Sequence, residues 1–238
     1  MAVSVDTVYQ KVLAIANKEQ RGYITPQEFN LFADQVQMEI FDQYFHSINQ
    51  HMRSAFTSNS SEYSDILTIL EEKISIFKER NVSVLGLNNG GDVRLPSDLY
   101  RLGTVRSNNW SLAEEMKTGN EDIIYRASKL TEPTLWRPTF ERKKNNAIKF
   151  RPYEAAPNNE PVYISYIRKP SKPNWGYVVV NDKPLYNSAV SNDFELHISE
   201  EPELVYRILV LAGIALEKLQ LTQVAAAAVG GTQQKQKT

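Results

Sequence analysis

The stretch Thr25-Pro26-Gln27-Glu28-Phe29 constrains this chain more than any other. Threonine at an N-cap, proline at the first helical position and glutamate at the third make a capping box, with the proline where its missing N–H does no harm. A helix must begin there. Phe29, Phe32, Val36, Ile40, Tyr44, Ile48 and Met52 then recur on one face, which predicts a helix from 26 to about 54. Phe41 and Phe45 widen the stripe beyond what a single packing partner requires. The surplus is expected to meet another chain, with Phe32, Val36 and Ile40 as candidate contact residues.

Helical spacing also marks residues 5–18 (Val8, Val12, Ile15) and about 62–79 (Ile66, Leu70, Ile74, Phe77). From Val93 to His197 the character changes to prolines, aromatics and short alternating runs. Arg94–Leu102 reads as a turn or short helix leading into a strand near Gly103–Val105; further strands are predicted at Ile123–Arg126, Pro138–Arg142, Ala147–Arg151, Val162–Arg168 and Gly176–Val180, and a short helix at 111–119. Asn145-Asn146 signals a hairpin turn. Val162–Ile167 is almost wholly apolar, so both faces of that strand are expected to be covered. Phe194–Ile198 alternates as a last strand. Ser199 then caps a helix with acidic residues in its first turn, and Ala212-Gly213 suggests its stop. A further helix spans about 216–229, with an alanine run that favours close packing. The expected fold is α+β: helical N- and C-terminal arms around a small, mainly antiparallel β region. The expected divisions are 1–88 (helical), 89–198 (β-rich), 199–229 (C-terminal helices) and 230–238 (a flexible tail).

Composition removes several function classes. Lysine plus arginine is 27 and aspartate plus glutamate is 28, a formal net charge of −1. That is no global basic excess of the kind phosphate binding demands. Cysteine is absent, which excludes disulfides, thiol nucleophiles and cysteine metal sites. The longest apolar run, Ile208–Leu216, is nine residues, against about 20 for a membrane helix. The N-terminus lacks a basic region followed by an apolar block, so no signal peptide and no membrane partner are expected.

No glycine-rich phosphate loop or nucleophile elbow occurs. Asp193, Glu195 and His197 could line one face of a strand and bind a metal or move protons. The same alternation describes any half-buried strand, and that reading is preferred. No catalytic residue, metal site or cofactor is assigned. Arg142, Lys143 and Lys144 would sit near the tip of a hairpin, with Lys149 and Arg151 behind and Trp136, Tyr153 and Trp175 nearby in sequence. Basic residues interleaved with aromatics can bind nucleic acid, so a nucleic-acid-binding module using hairpin 142–151 is the alternative reading. A charged tip that suppresses edge pairing is the preferred one.

Several phrases taken in order point to a family. They are Arg21-Gly22-Tyr23-Ile24-Thr25-Pro26-Gln27-Glu28-Phe29-Asn30, Leu95-Pro96-Ser97-Asp98-Leu99-Tyr100, Trp136-Arg137-Pro138, Tyr166–Tyr177 and Asp193–Glu201 passing into Leu211–Ile214. The chain resembles the neck ring or head–tail adaptor proteins of tailed bacteriophages, especially of crAss-like phages, from about residue 5 to 229. The resemblance implies a non-enzymatic virion protein, assembled in the host cytoplasm, that forms a homo-oligomeric ring, usually of twelve copies. The ring would lie under the portal protein, contact neighbouring neck or tail proteins and let genomic DNA pass through its channel. It also implies a C-terminus that docks on the portal, here Leu216, Leu219, Leu221, Val224 and Val229, and leaves Arg142, Lys143 and Lys144 as possible DNA-facing residues.

Overall fold

A computed structural model of the protein describes residues 2–18, 24–54, 60–86, 91–117, 119–156 and 160–215. In chain order the elements are α1 (Val5–Lys18), α2 (Pro26–Ser54), α3 (Ser60–Ser75), β1 (Lys78–Leu85), β2 (Asp92–Arg94), β3 (Leu99–Arg106), β4 (Leu112–Met116), α4 (Gly119–Ala127), β5 (Thr139–Lys143), β6 (Ala147–Arg151), β7 (Pro161–Arg168), β8 (Tyr177–Val180), β9 (Lys183–Tyr186) and α5 (Glu201–Ala215). The fold is α+β. It divides into two compact units: Met1–Ile76 with Pro170–Thr238, and Phe77–Lys169.

The first unit is helical and discontinuous in sequence. The capping box forms as the sequence predicts: Thr25 N–H donates to Glu28 Oε2 at 2.9 Å, and Glu28 N–H donates to Thr25 Oγ1 at 3.3 Å. The Thr25 N–H, and the Thr25 hydroxyl that donates to Glu28 Oε2 at 2.8 Å, hold the Glu28 carboxyl below its ordinary range. From that start α2 buries Phe29, Ala33, Val36, Ile40, Phe41 and Tyr44. Both α1 and α2 pack on α5, and α2 also packs on α3. Burying such side chains stabilises by about 1.5–3 kcal/mol each. Val36 and Ile40 are therefore covered inside one chain, which corrects their expected place on a contact surface, while Phe32, Phe45 and Ile48 are half-buried.

Trp175 holds the unit's two sequence pieces together. It is buried, its ring centroid lies 4.3 Å from that of Tyr9 on α1, and its indole N–H donates to Asp6 at 2.9 Å. Its backbone N–H donates to Asn30 Oδ1 on α2 at 2.7 Å. Across the unit, Lys73 of α3 pairs with Glu200 at 2.5 Å, and Arg207 of α5 bonds Glu203 and Gln43. Both carboxylates are buried. Burial, with Glu200 and Glu203 adding to it, pushes the Tyr44 phenol well above its usual range.

The second unit is a seven-stranded sheet in the order β1-β7-β3-β4-β5-β6-β2. Its pairs are antiparallel except β4 with β5. A bridge between Gly86 and Val93 joins the two end strands, so the sheet rolls into a barrel and conceals its edges. Alternating residues fill the interior, among them Leu102, Val105, Phe140, Ile148, Phe150, Val162 and Ile164. On β7 only one face is buried; Tyr163, Ser165 and Ile167 on the other are half-buried, so the strand is not covered on both faces.

Other elements depart from the sequence reading. Leu112–Met116 is strand β4, not a short helix, because β3 and β5 flank it and complete its hydrogen bonding. Ile123–Arg126 lies in helix α4, not in a strand. Strands β1, β2 and β9 are not among the predicted strands. Phe194 makes a bridge with Val3 but no ladder. His197, not Ser199, caps the turn that precedes α5. Gly213 lies inside α5, which runs on to Ala215. The division is also different: the break falls at 76/77 and 169/170, and the sheet is large rather than small. The helix expected over 216–229 and the tail 230–238 lie outside the described residues.

Candidate assembly surfaces

The polar residues singled out in the sequence turn out to be separate backbone clamps. Asp193 Oδ1 accepts the Val5 N–H at 2.9 Å and fastens the start of α1. Glu195 Oε2 accepts the Ser171 N–H at 2.8 Å. The buried Gln37 completes that clamp: it accepts the Glu195 N–H at 3.1 Å and donates to the Ser171 carbonyl at 2.7 Å. His197 Nδ1 accepts from the Ser199 N–H at 3.3 Å. Phe194 and Leu196 point inward and are buried. The three polar side chains thus serve three different backbone segments, and among the described residues no cluster of His, Asp or Glu is placed to hold a metal ion.

The basic hairpin forms as predicted. β5 and β6 pair through Lys143 and Ala147, and in the loop between them Asn145 and Asn146 adopt φ of 70° and 54°, left-handed values that asparagine tolerates. Two of its three cations already have carboxylate partners. Arg142 Nε lies 2.5 Å from Glu115 Oε1, and Lys143 lies 2.6 Å from Asp92. Lys144 at the tip is exposed. Trp175 belongs to the helical unit's core, where its ring packs against Tyr9.

Of the candidate contact residues, Val36 and Ile40 are buried in the chain's own core. They cannot form a surface, and the expectation is corrected. Phe32 is half-buried. Leu216, Leu219, Leu221, Val224 and Val229 lie outside the described residues.

Two other surfaces are apolar and exposed, and neither was read from the sequence. The first is the β8–β9 ribbon. Its turn, Asn181-Asp182, has φ of 50° and 60°, the two-residue hairpin geometry whose twist suits the strands. At its base Tyr177 and Tyr186 both lie against Trp175, each with ring centroids 5.8 Å from it. Gly176 lets the chain enter, since a Cβ there would meet Val190 Cγ2 at 2.4 Å. Beyond the base, Val178, Val179, Val180 and Leu185 are about half exposed, so side chains on both faces are uncovered. The pairs alternate in hydrogen bonding. Counting from the turn, Pro184 falls opposite Val179 in a non-bonded pair, so the missing proline N–H blunts the outer edge of β9. The outer edge of β8 has no such protection, and among the described residues β8 has no second neighbour.

The second surface follows from the parallel pairing of β4 and β5. Parallel neighbours need a crossover of a dozen or more residues, normally a helix that covers the sheet. Here residues 117–138 make that connection and contain α4. Instead of being covered, Ile123 and Ile124 are 66% and 67% exposed, Leu130 is 85% exposed and Trp136 is 81% exposed. Trp136 sits in a tight turn closed by a bridge between Thr134 and Arg137. Single exposed apolar residues need no explanation, but contiguous ones mark interaction sites.

No protein-family model matches the sequence, and a search of curated proteins finds no relative. Among the described residues no helix is long and apolar enough to cross a membrane.

Proposed function

We propose that the chain is a structural protein of the virion of a tailed bacteriophage, a connector that forms a ring in the neck. In this reading the ring joins the portal to the tail and lets DNA through its channel. The observation that carries it is the pair of uncovered apolar surfaces, ribbon and crossover, on a chain that has already filled a core in each of its units. An isolated protein gains nothing from exposing Trp136 and Leu130 almost fully; a subunit of a larger body does. In this reading the C-terminal segment from Leu216 docks on the portal.

A near-neutral net charge suits a passage along which phosphates must slide without being held. The ion pairs of Arg142 and Lys143 weaken the alternative of a dedicated nucleic-acid module, because counterion release needs cations that the protein has not already neutralised. Light scattering tests the reading. The protein is expected to form large assemblies alone or on a purified portal ring. A strict monomer that binds no portal would refute it.

A further inference from the structure

We propose that the β8–β9 ribbon of one copy docks on the β4–β5 crossover of a second copy, around Leu130 and Trp136. The inference rests on the connector reading and adds the contact by which copies meet.

The two surfaces differ in kind. The ribbon is a flat strip of β-branched side chains, and Tyr177–Val180 carries no charge. The crossover offers knobs: a nearly bare tryptophan and leucine, and in the same connection the two exposed isoleucines of α4. Tryptophan is the commonest anchor at interface centres, and aromatic side chains pair favourably with β-branched ones. The rims carry both signs. Asp182 and Lys183 lie at or beside the ribbon's tip, and Lys129, Glu132 and Arg137 flank the crossover knobs, so opposite charges can meet around an apolar centre.

Area and symmetry then select a second copy placed head to tail. If the exposed residues of both patches were wholly covered, the buried area would be on the order of 1,200 Å², the lower end of specific protein contacts. A two-fold contact of each patch with itself would leave the other bare, and a reciprocal two-fold contact of ribbon with crossover would stop at two chains; the ring of the connector reading needs the head-to-tail form. A head-to-tail contact covers one ribbon and one crossover per copy, and closes into a ring if the rotation permits.

The chain has no cysteine, which makes disulfide trapping clean. Val179→Cys and Leu130→Cys are made as separate proteins; both sites are exposed, so neither change disturbs a core. Oxidising the mixture at high protein concentration is expected to give a covalent heterodimer, while each variant alone gives little. The double variant is expected to give a ladder of linked chains, which distinguishes the head-to-tail form from a closed dimer. Trp136→Ala is expected to weaken self-association about tenfold or more. Efficient self-linking of V179C would overturn the proposal in favour of a two-fold contact. A large assembly without the mixed crosslink would overturn it while leaving the connector reading intact. A monomer without any crosslink would end both.

Discussion

Removing the Trp175 side chain should unfold the helical unit far more readily than its place in a short connecting segment suggests. The indole is 3% exposed, touches Tyr9, and donates to Asp6. Trp175→Ala removes those contacts and leaves a cavity between α1 and the ribbon's base. Deletions of this kind cost about 3–5 kcal/mol, a large share of the roughly 5–15 kcal/mol that holds a domain folded. Trp175→Phe keeps part of the ring packing and loses the bond to a carboxylate, about 1.5–3 kcal/mol. Urea unfolding followed by far-ultraviolet circular dichroism measures both. The helical transition should move to lower urea in the order wild type, Phe, Ala. The barrel transition should stay in place, because Trp175 lies outside Phe77–Lys169. A shift below about 1 kcal/mol for Trp175→Ala, or an equal shift of both transitions, would refute this account of how the two sequence pieces are held.

Three further outcomes follow from local geometry. Thr25→Ala removes both the side-chain cap and its bond to Glu28, and should lower the helical unit's stability by about 1 kcal/mol in the same unfolding experiment. Tyr44 stays protonated in the folded chain to higher pH than in the unfolded one. Its contribution is therefore complete below the ordinary tyrosine pKa of 10.0 and is lost as pH rises above it; the urea midpoint should fall more steeply above that pH for the wild type than for Tyr44→Phe. Replacing Arg142 and Lys143 with alanine should leave DNA affinity and its salt dependence nearly unchanged in a filter-binding titration, since Glu115 and Asp92 already neutralise them; a steep loss would restore the nucleic-acid reading.

Local signals were legible where a residue's conformation is set by its neighbours in sequence. Thr25, Pro26 and Glu28 specify the start of α2 whatever surrounds it, and Asn145-Asn146 specifies the β5–β6 turn. Where partners distant in sequence decide, the same reading misled. Leu112-Ala113-Glu114-Glu115-Met116 has helical composition, yet pairing on both sides makes it a strand. Ile123-Ile124-Tyr125 has strand composition, yet it falls in the crossover that a parallel pair requires. The stripe on α2 was visible, but its partners were not. Only the fold reveals that Val36 and Ile40 are covered within the chain. The exposed surfaces were missed for the converse reason. Tyr177–Val180 reads as an ordinary core strand, and nothing in its composition says that among the described residues it has one neighbour and two open faces. Blunting by Pro184 on one edge was the available clue.

The account stands or falls on whether apolar surface left bare on one chain is covered by others. Sedimentation velocity over a wide concentration range, for the wild type and for a Val179→Asp, Trp136→Ala double variant, measures this most directly. The account predicts that the wild type sediments as a large closed species, alone or on a portal ring, and that the variant stays a folded monomer. A wild type that remains monomeric at every concentration and ignores the portal, or a variant that assembles as well as the wild type, would contradict it.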